Sequence, residues 1–123
     1  MGLRFLQIAV VYLVIGALLG GYMGITQKFI LAPVHAHILL LGWATFALAG
    51  LVYHLYPAAS TTRLARIHFW LHNLGLPVFM VALAVLLTGH EAAGPWVGIS
   101  ASVVIVSLAT FAANVLMNVR APR

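Results

Sequence analysis

Apolar residues fill four long stretches of this chain, and polar or turn-forming residues collect in the three gaps between them. Hydrocarbon about 30 Å thick is crossed by about 20 apolar residues in a helix. Four segments meet that length, at 5–24, 33–56, 67–89 and 96–119. Thr26, Gln27 and Lys28 close the first, and Pro33 can open the second because its missing N–H is not needed at a helix start. The middle gap, 57–66, holds Ser60, Thr61, Thr62 and two arginines. The last holds Gly89, His90, Glu91, Gly94 and Pro95. The pattern predicts an all-α, integral membrane four-helix bundle in one domain, with no linker and no soluble module.

Composition sharpens this. Of 123 residues, 64% are hydrophobic and 6% charged, where a soluble domain carries roughly 25% charge. Such a chain cannot cover a water-facing surface, so lipid is its solvent. The N-terminal stretch has no small-residue cleavage site before more membrane sequence follows, and reads as a retained helix. Cysteine is absent, which excludes disulfides, iron–sulfur clusters, covalent c-type haem and thiolate-bound metal. Glu91 is the only carboxylate side chain. The six Lys and Arg residues sit at helix ends, which suits anionic headgroups and not nucleic acid. Arg4, Arg63, Arg66, Arg120 and Arg123 fall on one side and only Lys28 on the other. The positive-inside rule then places both termini and the middle loop in the cytoplasm of a bacterial-type inner membrane.

Two features bear on packing. Gly16, Gly20 and Gly24 form one ridge of the first helix, spaced for close helix approach within the bundle or between chains. Pro77 falls inside the third helix and should kink it. Asn73, Asn114 and Asn118 lie near helix ends, where interfacial hydrogen bonds account for them.

The candidate chemistry is in the histidines. His35 and His37 enter an otherwise apolar helix, and ionisable residues at membrane depth are costly and usually functional. Each residue advances the helix face by about 100°, so the two rings point to nearly opposite sides. They cannot grip one metal together, but each can offer a ligand to a different neighbouring site. Interhelical hydrogen bonding is the plainer alternative, worth about 1 kcal/mol in a membrane. Neutral imidazole is a standard axial ligand of haem iron, and such a ring needs its other nitrogen held by a carbonyl or hydroxyl. Below His35 on its own face lie Leu39, Gly42, Phe46 and Ala49, a mix of small and aromatic residues able to lie against a porphyrin. His68 and His72, four apart, share a face and could chelate metal or meet a haem propionate. Their neighbours Phe69 and Trp70 equally suit packing at the membrane boundary. His54 reads the same way, and His90 reads as solvated.

His35-Ala36-His37, then Leu41-Gly42-Trp43, Gly50-Leu51-Val52-Tyr53 and Tyr56-Pro57 resemble the tenth transmembrane helix of the haem–copper oxidase catalytic subunit, above all in the C-family cytochrome c oxidases. His68-Phe69-Trp70-Leu71 and Leu74-Gly75 are similar to the start of that family's eleventh helix. The likeness covers nearly the whole chain but only the last third of an oxidase subunit. It implies that His35 faces a high-spin haem site and His37 a low-spin one. Departures limit it. The three further histidines of the family's copper site are missing, and no carboxylate or lysine lies within the membrane. That argues against a proton-pumping oxidase.

The family's subunit is three arcs of four helices, so a chain resembling one arc implies a homotrimer closing the ring, or a dimer, with haem b between His35 of one copy and His37 of the next. Copper is a further candidate cofactor. The expected activity is electron transfer with a quinone or a c-type cytochrome as partner. A gas-binding haem sensor or rudimentary reductase, and a non-catalytic accessory or haem- and copper-handling subunit of a respiratory complex, stand as alternatives.

Overall fold

A computed structural model describes residues 1–121. Of the arginines read as one cluster, Arg123 lies outside the described residues. Among the described residues every element is helical. α1 spans Gly2–Thr26 and ends where Gln27 turns left-handed at φ 56°. α2 spans Ala32–Leu55 and has a π-helical turn, Ile38–Ala44, inside it. A short helix, α3, covers Pro57–Ser60. α4 spans Arg63–Leu87, and a 3₁₀ turn at Glu91–Ala93 leads into α5, Gly94–Asn118. All four long helices are apolar and long enough to cross a membrane.

The helix ends differ from the hydropathy reading by one to four residues, and two of the differences around the middle loop have a clear physical reason. α4 starts at Arg63, four residues before its apolar stretch. The Thr62 side chain accepts the Ala65 amide at 3.0 Å and caps the first turn. Guanidinium groups also tolerate a helix end at headgroup level, because their stems lie along apolar surface while the charge stays in water. Likewise α3 occupies part of the expected middle loop, opened by Pro57 at its first position. The backbone of α4 runs helically through Pro77.

α1 packs chiefly on α2, and α4 chiefly on α5, so the bundle is two helical hairpins side by side. The glycine ridge works inside the first hairpin. A methyl on Gly16 would stand 2.5 Å from the Leu39 side chain, and one on Gly20 would stand 2.7 Å from the His35 ring. Gly24 meets nothing within 4 Å. The core between hairpins is aromatic. Phe5 is fully buried, 5.4 Å from Phe46, 5.3 Å from Tyr53 and 5.1 Å from His68 between ring centroids. Large apolar side chains such as Leu18, Leu40, Val81 and Leu116 are exposed on the outside, as lipid-facing positions require.

Candidate functional site

The two histidines of the pair are built alike. The His35 ring lies against Gly20 of α1, and its Nδ1 is 2.8 Å from the Gly16 carbonyl oxygen. His37 Nδ1 is 2.6 Å from the Pro33 carbonyl oxygen, one turn back on its own helix, and its ring meets Phe79 of α4 edge-on at 5.3 Å. A carbonyl only accepts, so Nδ1 is the donor in each ring, and in the neutral tautomer this leaves the lone pair on Nε2. Both side chains are half-buried. His68 Nε2 is the only buried, unpartnered side-chain nitrogen or oxygen among the described residues. The free Nε2 atoms of His35 and His37 are therefore open to the bundle surface. The rings leave α2 toward different neighbours, α1 and α4, as the helical spacing predicts.

Gly42 and Phe46, expected to lie against a porphyrin, are occupied from within the chain. Gly42 is buried, and a methyl there would stand 2.5 Å from Cγ of Tyr12, so the group that approaches it closely is a tyrosine ring. Phe46 is 1% exposed, stacked on Tyr12 at 5.7 Å and met edge-on by His72 at 4.5 Å. Neither residue therefore offers a free face to a flat ligand.

His68 and His72 are core residues, 0% and 1% exposed, and not the boundary rings that their aromatic neighbours suggest. At about 100° per residue Trp70 points elsewhere, and it is 60% exposed. His72 Nε2 donates to the Leu41 carbonyl at 2.9 Å, and its Nδ1 lies 3.1 Å from the Ser107 hydroxyl. His68 Nδ1 is 3.0 Å from the Tyr53 hydroxyl. The two rings stand at 87° with centroids 5.6 Å apart. His54 is exposed and apart from them. No group of three or more His, Cys, Asp or Glu side chains placed to hold a metal ion occurs among the described residues.

Asn114 is the residue the sequence placed least well. It is fully buried, not interfacial, and its amide is a hub. Nδ2 donates to the Ala59 carbonyl at 2.9 Å and reaches the Tyr53 oxygen at 3.4 Å. Oδ1 accepts from Thr62 at 3.0 Å and from Asn118 at 2.8 Å. The same Tyr53 hydroxyl bonds His68 Nδ1 at 3.0 Å, and His68 Nε2 is left without a partner. A single polar residue near a helix end gives no hint of this; it emerges when α3 and Thr62 fold over it.

No protein-family model matches the chain, and neither a curated protein nor a solved structure does.

Proposed function

We propose that the chain is a small membrane b-type haem protein of the haem–copper oxidase kind, in which His35 and His37 would hold haem iron through Nε2 and the haem would serve electron transfer. One observation carries the reading. Both rings have Nδ1 anchored on a backbone carbonyl and an unbonded Nε2 at the bundle surface, which is the arrangement of a ligating histidine with its supporting partner. The core ring of His72, by contrast, has both nitrogens engaged inside the bundle.

The two free nitrogens lie on different sides of α2, and Gly42 and Phe46 are already covered. The haem is accordingly held between copies, His35 of one and His37 of the next, in a homotrimer or a dimer. The chain supplies the ring orientation and the dry surface; haem b supplies a one-electron couple when bound. Phe79, edge-on to His37, limits how that ring can turn. The bundle end bearing Arg4, Arg63, Arg66 and Arg120 faces the cytoplasm.

The test is an absorption spectrum of detergent-purified protein given haem, oxidised and reduced, with and without carbon monoxide. Sharp reduced bands unmoved by carbon monoxide, lost in His37→Ala, are expected. Bands that shift with carbon monoxide would replace this reading with the gas-binding one. No Soret band after haem is added would refute both.

A further inference from the structure

We infer that His72 is a positioning residue for His35 and His37, acting on them through the π-helical turn of α2. The inference rests on the haem reading only for what the positioned rings do; the positioning itself is a property of the polypeptide.

Between Ile38 and Ala44 the helix widens, and the Thr45 amide bonds to the Leu40 carbonyl, five residues back. In an α-helix that amide would bond to Leu41. The Leu41 carbonyl is thereby released, in a part of the chain where no water is at hand to take its place. His72 supplies the missing donor, reaching from α4 to Leu41 at 2.9 Å. The ring has no freedom to leave. It is 1% exposed, with Phe46 edge-on at 4.5 Å and the Ser107 hydroxyl behind Nδ1 at 3.1 Å. Thr45 adds its own hydroxyl to the Leu40 carbonyl at 2.7 Å, so the five-residue spacing is held twice. On the far side, Gly42 admits the Tyr12 ring where a side chain would collide. α1 and α4 thus both grip this turn.

The consequence reaches the ligands because the turn lies directly after His37. A π turn takes an extra residue into the helix, and each residue is about 100° of rotation. The azimuth of everything before Ile38, relative to everything after Ala44, is set by that turn. It is what brings His35 over Gly16 and Gly20 and His37 onto Phe79. Without a donor from His72, the Leu41 carbonyl regains a partner by returning to α spacing, which rotates both rings off these seats. His35 then loses the Gly16 carbonyl, whereas His37 keeps Pro33, which lies on the same helix.

The experiment uses the full chain in micelles without haem. Carbonyl-¹³C leucine with ¹⁵N glycine marks three peptide links, Leu19–Gly20, Leu41–Gly42 and Leu74–Gly75. In His72→Leu the Leu41 carbonyl resonance is expected to move while the other two stay. In His72→Gln, whose amide N–H stands close to the position of Nε2–H, it is expected to remain. Ser107→Ala, which only loosens the ring, is expected to move it the same way by less, and it serves if His72→Leu does not fold. A Leu41 resonance unmoved in His72→Leu, or in Ser107→Ala where that stands in, overturns the inference. A separate haem titration reads the effect on the ligands: a loss of about tenfold or more in affinity for His72→Leu, with recovery in His72→Gln. A shifted carbonyl with unchanged haem affinity overturns the link to the ligands. Absence of haem binding in the unsubstituted chain refutes the haem reading instead, and leaves the carbonyl result to decide the positioning.

Discussion

Gly42→Ala separates the two accounts of that glycine, as a seat for a ligand or as a seat for Tyr12, and its energetics can be worked from distances. Adding a methyl in a helix interior by itself stabilises by up to about 1 kcal/mol, because glycine is the poorer helix former. Here the new carbon would stand 2.5 Å from Cγ, 2.7 Å from Cδ1 and 2.8 Å from Cβ of Tyr12. Carbon atoms prefer about 3.5–4.0 Å, so the pair must separate by about 1 Å. The atoms in conflict are at the root of the tyrosine, where rotating the ring gives no relief, and the ring itself is stacked on Phe46. α1 must move off α2, and such overpacking costs about 1–3 kcal/mol. Subtracting about 1 kcal/mol of propensity gain from the clash leaves a net destabilisation of up to about 2 kcal/mol. In a Tyr12→Ala background the clash is gone, and Gly42→Ala should stabilise by up to about 1 kcal/mol. The assay is reversible unfolding in mixed micelles, followed by helix content and by the fluorescence of the adjacent Trp43. The difference between the two backgrounds is the decisive quantity, because the propensity gain is common to both and cancels. If Gly42→Ala has the same effect in both backgrounds, the packing argument is wrong.

Three further outcomes follow from the same contacts. Asn114→Leu should destabilise by about 2 kcal/mol in that unfolding assay, because it strips donors from the Ala59 carbonyl and Tyr53 in a buried position. Thr62→Ala should lower stability by about 1 kcal/mol through loss of the α4 cap, and Thr62→Ser should restore most of it. Gly24→Ala should be tolerated or stabilise by up to about 1 kcal/mol, in contrast to Gly42→Ala, since nothing stands within 4 Å of the added methyl.

The four membrane-length helices were legible in the sequence because the demand for apolar length leaves little choice; their ends differ by one to four residues, most at Arg63, where a cap and snorkelling arginines extend the helix. The opposite-facing His35 and His37 followed from helical geometry alone. Two things were not legible. The π turn has no signature in Ile38–Ala44; Gly42 marked a close approach, but whether by a ligand or by Tyr12 depends on a residue 30 positions away. The burial of His68, His72 and Asn114 was hidden by their neighbours. Phe69 and Trp70 look interfacial, yet residues four apart share a face that adjacent residues do not, and His68 and His72 turn inward together. Asn114 lies one turn from a helix end, where water is the default partner, until Ala59 and Thr62 close over it.

Among the described residues the side-chain hydrogen bonds that cross from one hairpin to the other are few and alike: Tyr53 to His68, Asn114 to Tyr53, and His72 to Leu41. Apart from the Leu41 carbonyl, which waits for His72, each of the four long helices satisfies its own backbone in lipid, so each hairpin is nearly complete before it meets the other. Lipid provides no hydrophobic drive to join them. Assembly in the bilayer is therefore ordered in time: insertion and pairing of adjacent helices come first, and recognition between the two pairs comes last. The polar groups at the seam choose the correct docking among the many that apolar surfaces alone would permit.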